Sequence, residues 1–170
     1  MSNPIKSLIV VFSYHHMNTE KIAKAFAKVL NTEIKTPQQI DTKQTHECDL
    51  IGFGSGIYGQ KHHKLLLDLV DRLPQVTNRK AFIFSTSGVT RKFATNKSID
   101  DPHLALRKKM QSKGYLIVDE FNCAGYNTNS FLKLFGGIKR GRPNAKDIKQ
   151  AEEFAQNLKQ NLQKKSNLNT

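Results

Sequence analysis

Positions 13–19 read Ser-Tyr-His-His-Met-Asn-Thr and stand between a short apolar run and a stretch whose apolar residues recur at helical spacing. Hydroxyls, an amide and two imidazoles therefore meet where a strand gives way to a helix. A helix N-terminus offers unpaired backbone N–H groups and the positive end of the helix dipole, so a phosphate binds there without a cationic side chain. Asn18 and Thr19 fall where the helix begins, as caps or as donors to an anion. A P-loop is excluded, because the stretch has neither its glycines nor its lysine before Ser/Thr. A metal pair is disfavoured at His15 and His16, and equally at His62 and His63: adjacent side chains rarely face one ion, and no carboxylate or cysteine stands at ligand spacing.

A second cluster, Gly54-Ser-Gly-Ile-Tyr-Gly59, has the spacing of the dinucleotide glycine fingerprint and also follows an apolar run. It follows the third such run rather than the first, and the next run ends in Phe84, Ser85 and Thr86 with no acidic residue, so the dinucleotide reading fails on both counts. These glycines either serve a turn or let the backbone approach a flat ligand on which Tyr58 can stack. The basic run Lys61-His-His-Lys64 follows at once, where it reads as the start of a helix. Cations there oppose the dipole, so the run reads either as facing a nearby anion or as a solvated basic turn.

The positioning elements follow from periodicity. Strands are predicted over 5–12, 33–36, 49–54, 80–85 and 115–123, and helices over 18–30, 61–73, 101–112 and 144–162, with a loop or weak helical turn over 37–47. A long loop occupies 86–102 and a glycine-rich stretch 124–142. Alternation of this kind makes a doubly wound α/β fold with a five-stranded parallel sheet and helices on both faces. Ligands in such sheets bind outside the carboxyl ends of the strands. Those ends, 13–18, 55–59, 85–88 and 124–128, are all rich in Gly, Ser, Thr and Asn.

With 170 residues and 38% hydrophobic composition, the chain reads as one domain over 1–170 with its core at about 5–162 and a short polar tail. It contains no apolar run long enough for a membrane span and no secretory signal pattern near Met1, so the expected address is the cytoplasm. Cys48 and Cys123 have no ligand spacing and read as reduced packing residues. The formal net charge of +13 raises nucleic acid, an anionic membrane or an acidic protein as partner. No zinc-finger or helix-turn-helix signature supports the first, and the basic clusters are short.

Four stretches together, "SYHHMNTEKIA", "DLIGFGSGIYGQKHHKLL", "STSG" and "FLKLFGGIKRGRPNAKDIKQAEEFA", resemble the flavodoxins, and most closely small flavodoxin-like FMN proteins with paired histidines in the first loop. They cover about 5–158 in the family's order. The resemblance implies strand order 2-1-3-4-5 and non-covalent FMN as cofactor. It further implies that Ser13, His15, His16, Met17, Asn18 and Thr19 wrap the phosphate. By the same resemblance Ser55, Gly56, Ile57, Tyr58 and Gly59 flank the isoalloxazine ring, and Thr86, Ser87 and Gly88 close the other side. No residue is implied as catalytic, since the flavin carries the chemistry and the protein supplies an anchor, a flat slot and an aromatic. The activity implied is electron transfer with a redox partner protein or small acceptor, acidic if it matches the charge. The alternatives are an FMN-dependent oxidoreductase of the NAD(P)H-quinone reductase or protoporphyrinogen oxidase type, and a flavin-free basic binding module. The first loop departs from the usual flavodoxin pattern, which has threonines and a glycine at Tyr14 to Met17, and the positive charge departs from the acidic electron carriers.

Overall fold

The computed structural model describes residues 4–88, 101–128, 134 and 136–167. Positions 89–100 of the long loop, 129–133 and 135 of the glycine-rich stretch, and the end of the tail beyond 167 lie outside the described residues. Six strands, β1 (Ser7–Phe12), β2 (Ile34–Lys35), β3 (Leu50–Tyr58), β4 (Lys61–His62), β5 (Arg79–Ser87) and β6 (Tyr115–Ala124), alternate with α1 (Asn18–Leu30), α2 (Lys64–Arg72), α3 (Leu104–Ser112) and α4 (Ala145–Asn167). Two short 3-10 turns occupy the polar segment between β2 and β3.

The main sheet is parallel and ordered β2-β1-β3-β5-β6, which is the expected five-strand order once the extra strand is counted. That extra strand, β4, pairs antiparallel with the end of β3 through Ile57↔His62 and Tyr58↔Lys61. Gly59 and Gln60, at φ 54° and 65°, form the two-residue turn between them. Positive φ at both central positions is the signature of a tight hairpin that matches strand twist, and glycine supplies one of them without steric cost. Helix α2 consequently begins at Lys64 rather than Lys61, and His63 caps it by accepting from the Leu65 N–H. The basic run is thus not a helix start facing an anion: His62 is buried, and Lys64 pairs with Asp68 one turn on.

Alternation along β1 sends Ile9 and Val11 to the layer made by α1 and α4, and Leu8 and Val10 to the layer made by α2 and α3. In the first layer Phe26 meets Phe82, Phe84 and Phe121 edge to face at 5.4, 5.1 and 5.4 Å, contacts worth about 0.5–1.5 kcal/mol each beyond the area they bury. These rings need room over β3. A Cβ on Gly52 or Gly54 would stand inside the Phe82 or Phe84 ring, so these two glycines serve core packing and not a cofactor. Helix α4 starts with reciprocal capping, Asn144 Oδ1 accepting from Lys146 and Asp147 N–H while Asp147 accepts from Asn144 N–H. It runs on to Asn167, past the expected end at Leu162. Among the described residues no helix is long and apolar enough to cross a membrane.

Candidate functional site

The carboxyl ends of β1, β3, β5 and β6 open into a cleft with an internal volume of about 40 Å³. Its walls come from all four: Ser13, His15, Asn18 and Thr19; Gly56, Ile57 and Tyr58; Thr86, Ser87 and Gly88; Gly125, Tyr126 and Asn127. None of these residues is acidic. Helix α1 points its N-terminus at this cleft, and its first residues carry no side-chain cap. The N-cap position holds Met17, which with His16 sits in the left-handed region at φ 51° and 52°. Two successive non-glycine residues there cost on the order of 1–3 kcal/mol each. The backbone thereby turns abruptly into the helix, and the Thr19 and Glu20 N–H groups have no partner among the described residues.

Asn18 does not cap α1. Its side-chain N–H donates to the Tyr126 carbonyl at 2.8 Å, which ties the first loop to the last across 108 positions, while its Oδ1 is buried without a partner. Gly125 makes this approach feasible, since a Cβ there would lie 2.9 Å from the Asn18 amide nitrogen. Beside it the hydroxyls of Thr19 and Thr86 stand 2.8 Å apart, both buried. The pair holds two protons and one mutual bond uses one, so a proton remains for a ligand. Unpaired amides, a free hydroxyl proton, an aligned helix dipole and no carboxylate make a site for a small polyanion.

The other half of the cleft is aromatic. Tyr58 lies back over Gly56, and its ring is nearly parallel to that of Tyr14, with centroids 5.9 Å apart. Burial pushes the Tyr58 phenol up to about 12, so it acts as an uncharged stacking surface. A flat ring inserted between two aromatics needs roughly 7 Å, twice the carbon contact distance of about 3.5 Å. A tricyclic ligand therefore enters only if the two tyrosines part, or it stacks on one of them.

Ten of the fourteen residues expected from the sequence line the cleft; the other four, His16, Met17, Ser55 and Gly59, stand outside its lining. His16 turns onto Tyr126 and Thr128, its Nε2 lying 2.9 Å from the threonine hydroxyl. Met17 is exposed and Gly59 forms the hairpin turn. Ser55 is fully buried on the opposite face of β3, where its hydroxyl meets His62 Nδ1 at 2.9 Å and accepts from the His63 N–H at 3.0 Å. Residues 125–127 were missed as site residues, although the polar strand end 124–128 was visible; their role rests on contacts to Asn18 more than a hundred positions away.

A second polar cluster underlies β5 on the α2 and α3 side. Ser85, His103 and Glu120 are linked by contacts of 2.8 Å each, and Arg107 joins Glu120 to Asp101. Burial alone would raise the Glu120 carboxyl, but hydrogen bonds from His103 and Arg107 outweigh it and hold it at about 2. Burial pushes the His62 imidazole next to it well below its ordinary range, and His103 adds to the effect. The Ser-His-Glu order resembles an acyl-transfer triad, but Ser85 is 1% exposed and lines no part of the cleft, so no substrate reaches it. The cluster instead fastens α3 and β6 to the strand that carries Thr86. Cys48 and Cys123 are free and buried, and burial raises both thiols, the second to about 12. No cluster of metal-ligating side chains occurs among the described residues.

Comparison with known proteins agrees with this architecture. The sequence model of the family described as the flavodoxin domain matches residues 9–132. An uncharacterized protein of Methanocaldococcus jannaschii is 47% identical over 157 residues, covering 92% of this chain and all of that one. Among solved structures, a flavodoxin from the domain Archaea superposes with a TM-score of 0.60 at 16% identity, covering 93% of this chain and 99% of that one. Oxidised flavodoxin 2 of Bacillus cereus gives 0.63 at 16% identity, with 88% and 94% covered. The general stress protein 14 of Treponema denticola, solved in complex with FMN, gives 0.60 at 12% identity, with 93% and 99% covered.

Proposed function

The chain belongs to the flavodoxin family, and from that premise we propose that it is a cytoplasmic flavoprotein, an oxidoreductase in the broad sense, which holds FMN non-covalently and passes electrons through it. The observation that carries the reading is the uncapped N-terminus of α1, aimed into a cleft without carboxylates and floored by the Thr19 and Thr86 hydroxyls. The polar end of the cleft suits a phosphate, with the ring stacked on one tyrosine of the aromatic end or entering as the two part. In this reading the Thr19 and Glu20 amides and the free hydroxyl proton hold the phosphate, Asn18 braces the loop that carries Tyr126, and Gly56, Ile57 and Tyr58 flank the ring.

Bound flavin supplies the redox chemistry, accepting and returning electrons. The protein's part is anchorage, orientation and exclusion of water from one ring face. Tyr58 presents a neutral aromatic surface, and the hairpin that carries it is fixed from beneath by the Ser55–His62 contact. No carboxylate lines the cleft, and a carrier needs no acid or base of its own, which favours electron transfer over turnover of a bound substrate. Titration of apoprotein with FMN and with riboflavin, followed by flavin fluorescence, tests this: FMN binds and riboflavin, lacking the phosphate, binds far more weakly. Equal affinity for the two would remove the anchor from the account. Sustained NAD(P)H-dependent quinone reduction by the pure protein would instead favour the quinone reductase alternative.

A further inference from the structure

In the sequence, the connections that follow the carboxyl ends of the strands carry many cations and few acids. Of the connections that leave the carboxyl ends of β1, β3, β5 and β6, those at 13–17, 59–63 and 125–144 contain no Asp or Glu, and 88–103 contains only Asp100 and Asp101. Among the described residues, the acids at the starts of the following helices are engaged: Glu20 with Lys24, Asp101 with Arg107 and Asp147 with Arg142. Lys61 and Arg140, by contrast, are exposed and have no ion pair among the described residues.

Both sit beside cleft walls. Lys61 faces Tyr58 across the hairpin. Arg140 lies in the turn closed by the Arg142 N–H and the Lys139 carbonyl, two residues past Ile138, which exchanges backbone hydrogen bonds with the wall residue Asn127. The first loop adds exposed apolar surface at Tyr14 (54%) and Met17 (41%). An apolar patch flanked by unpaired cations of one sign fits a partner of opposite sign, because rim charges of that kind steer encounter and fix orientation.

We propose that this face is the docking surface for an acidic electron-transfer protein, with carboxylates meeting Lys61 and Arg140 and apolar contact forming over Tyr14 and Met17. The proposal rests on the FMN reading, which makes the cleft mouth the place where electrons cross. It specifies the sign of the partner's surface and the two side chains that recognise it. A small, charge-steered contact suits a partner that must leave after each transfer.

The test is calorimetric binding of the full chain to an acidic plant-type [2Fe–2S] ferredoxin at low and at moderate salt. Two matched double variants accompany it. K61E/R140E reverses two charges at the cleft. R72E/K108E reverses two exposed cations on α2 and α3 that have no ion pair among the described residues, helices that run back toward the amino ends of the strands. The expected result is binding that weakens with salt, falls about tenfold or more in K61E/R140E, and falls less than about threefold in R72E/K108E. Equal losses in the two doubles, salt-independent binding or no binding would overturn the docking surface. So would duplex DNA displacing the ferredoxin through a K61E/R140E-sensitive contact. Visible absorption of the same samples after incubation with FMN separates the two readings: colourless protein defeats the FMN reading, whereas yellow protein that ignores the ferredoxin defeats only the docking surface.

Discussion

The hydroxyl pair on the cleft floor makes a quantitative prediction. Thr19 Oγ1 and Thr86 Oγ1 are 2.8 Å apart and buried, and between them they have one proton to give a phosphate. Replacing Thr19 by Val removes one oxygen but releases the proton that Thr86 had shared, and the reverse holds for Thr86→Val. Each single variant therefore still offers the phosphate one hydroxyl donor and loses only the orienting contact, so FMN affinity falls by no more than about threefold. The double variant offers none. A hydrogen bond to a charged acceptor is worth about 1.5–3 kcal/mol, so its affinity falls about 10- to 150-fold. The losses are thus strongly non-additive, as expected for groups that share one role. Fluorescence titration of the four proteins with FMN and riboflavin measures this, with riboflavin affinity unchanged throughout. The reasoning is refuted if either single variant is as weak as the double, or if riboflavin binding falls in parallel with that of FMN.

Three further outcomes follow from the surrounding structure. Gly54→Ala forces a methyl into the Phe84 ring and lowers stability by about 1–3 kcal/mol in urea unfolding; unchanged stability would contradict the packing. Buried His62 binds a proton less readily in the folded chain than in the unfolded one, where imidazole titrates near about 6.5. Stability therefore rises with pH through that value and declines as pH falls below it. His62→Phe should make that decline shallower, whereas an identical slope would assign it to other groups. Glu120→Gln removes the carboxylate shared by His103 and Arg107 and costs about 3 kcal/mol by thermal unfolding, the low end for breaking a buried pair. Because this carboxyl is held at about 2, its stabilisation is complete above the ordinary carboxylate range and is lost as pH falls from there toward about 2. Glu120→Gln should flatten the acid profile over that window, and an unaltered profile would count against the network.

The alternation of strands and helices was legible because each element shows its own period, and the strand order followed from the resemblance. What escaped was set by partners distant in sequence. Gly54, in the cluster that reads as room for a flat ligand, instead leaves its space to Phe84 on the neighbouring strand, as Gly52 does to Phe82. The hairpin at Gly59 and Gln60 was hidden because Gly-Gln is a weak turn signal and the Leu65, Leu66 and Leu69 pattern drew the helix back to Lys61. Asn18 reads as a helix cap in any local window, and only the fold brings Tyr126 to its amide. The cleft was readable as a set of polar strand ends, since donors cluster there. Which donors turn inward was not, because the pleat sends Ser55 and Thr86 to opposite faces of the sheet.

The central claim is that the N-terminus of α1 anchors the phosphate of FMN. It is tested most directly by saturating the purified chain with FMN or with riboflavin, dialysing both samples exhaustively, and recording visible absorption. The account predicts that the FMN sample stays yellow with one flavin per chain while the riboflavin sample becomes colourless. Two colourless samples, or equal retention of both flavins, would contradict it.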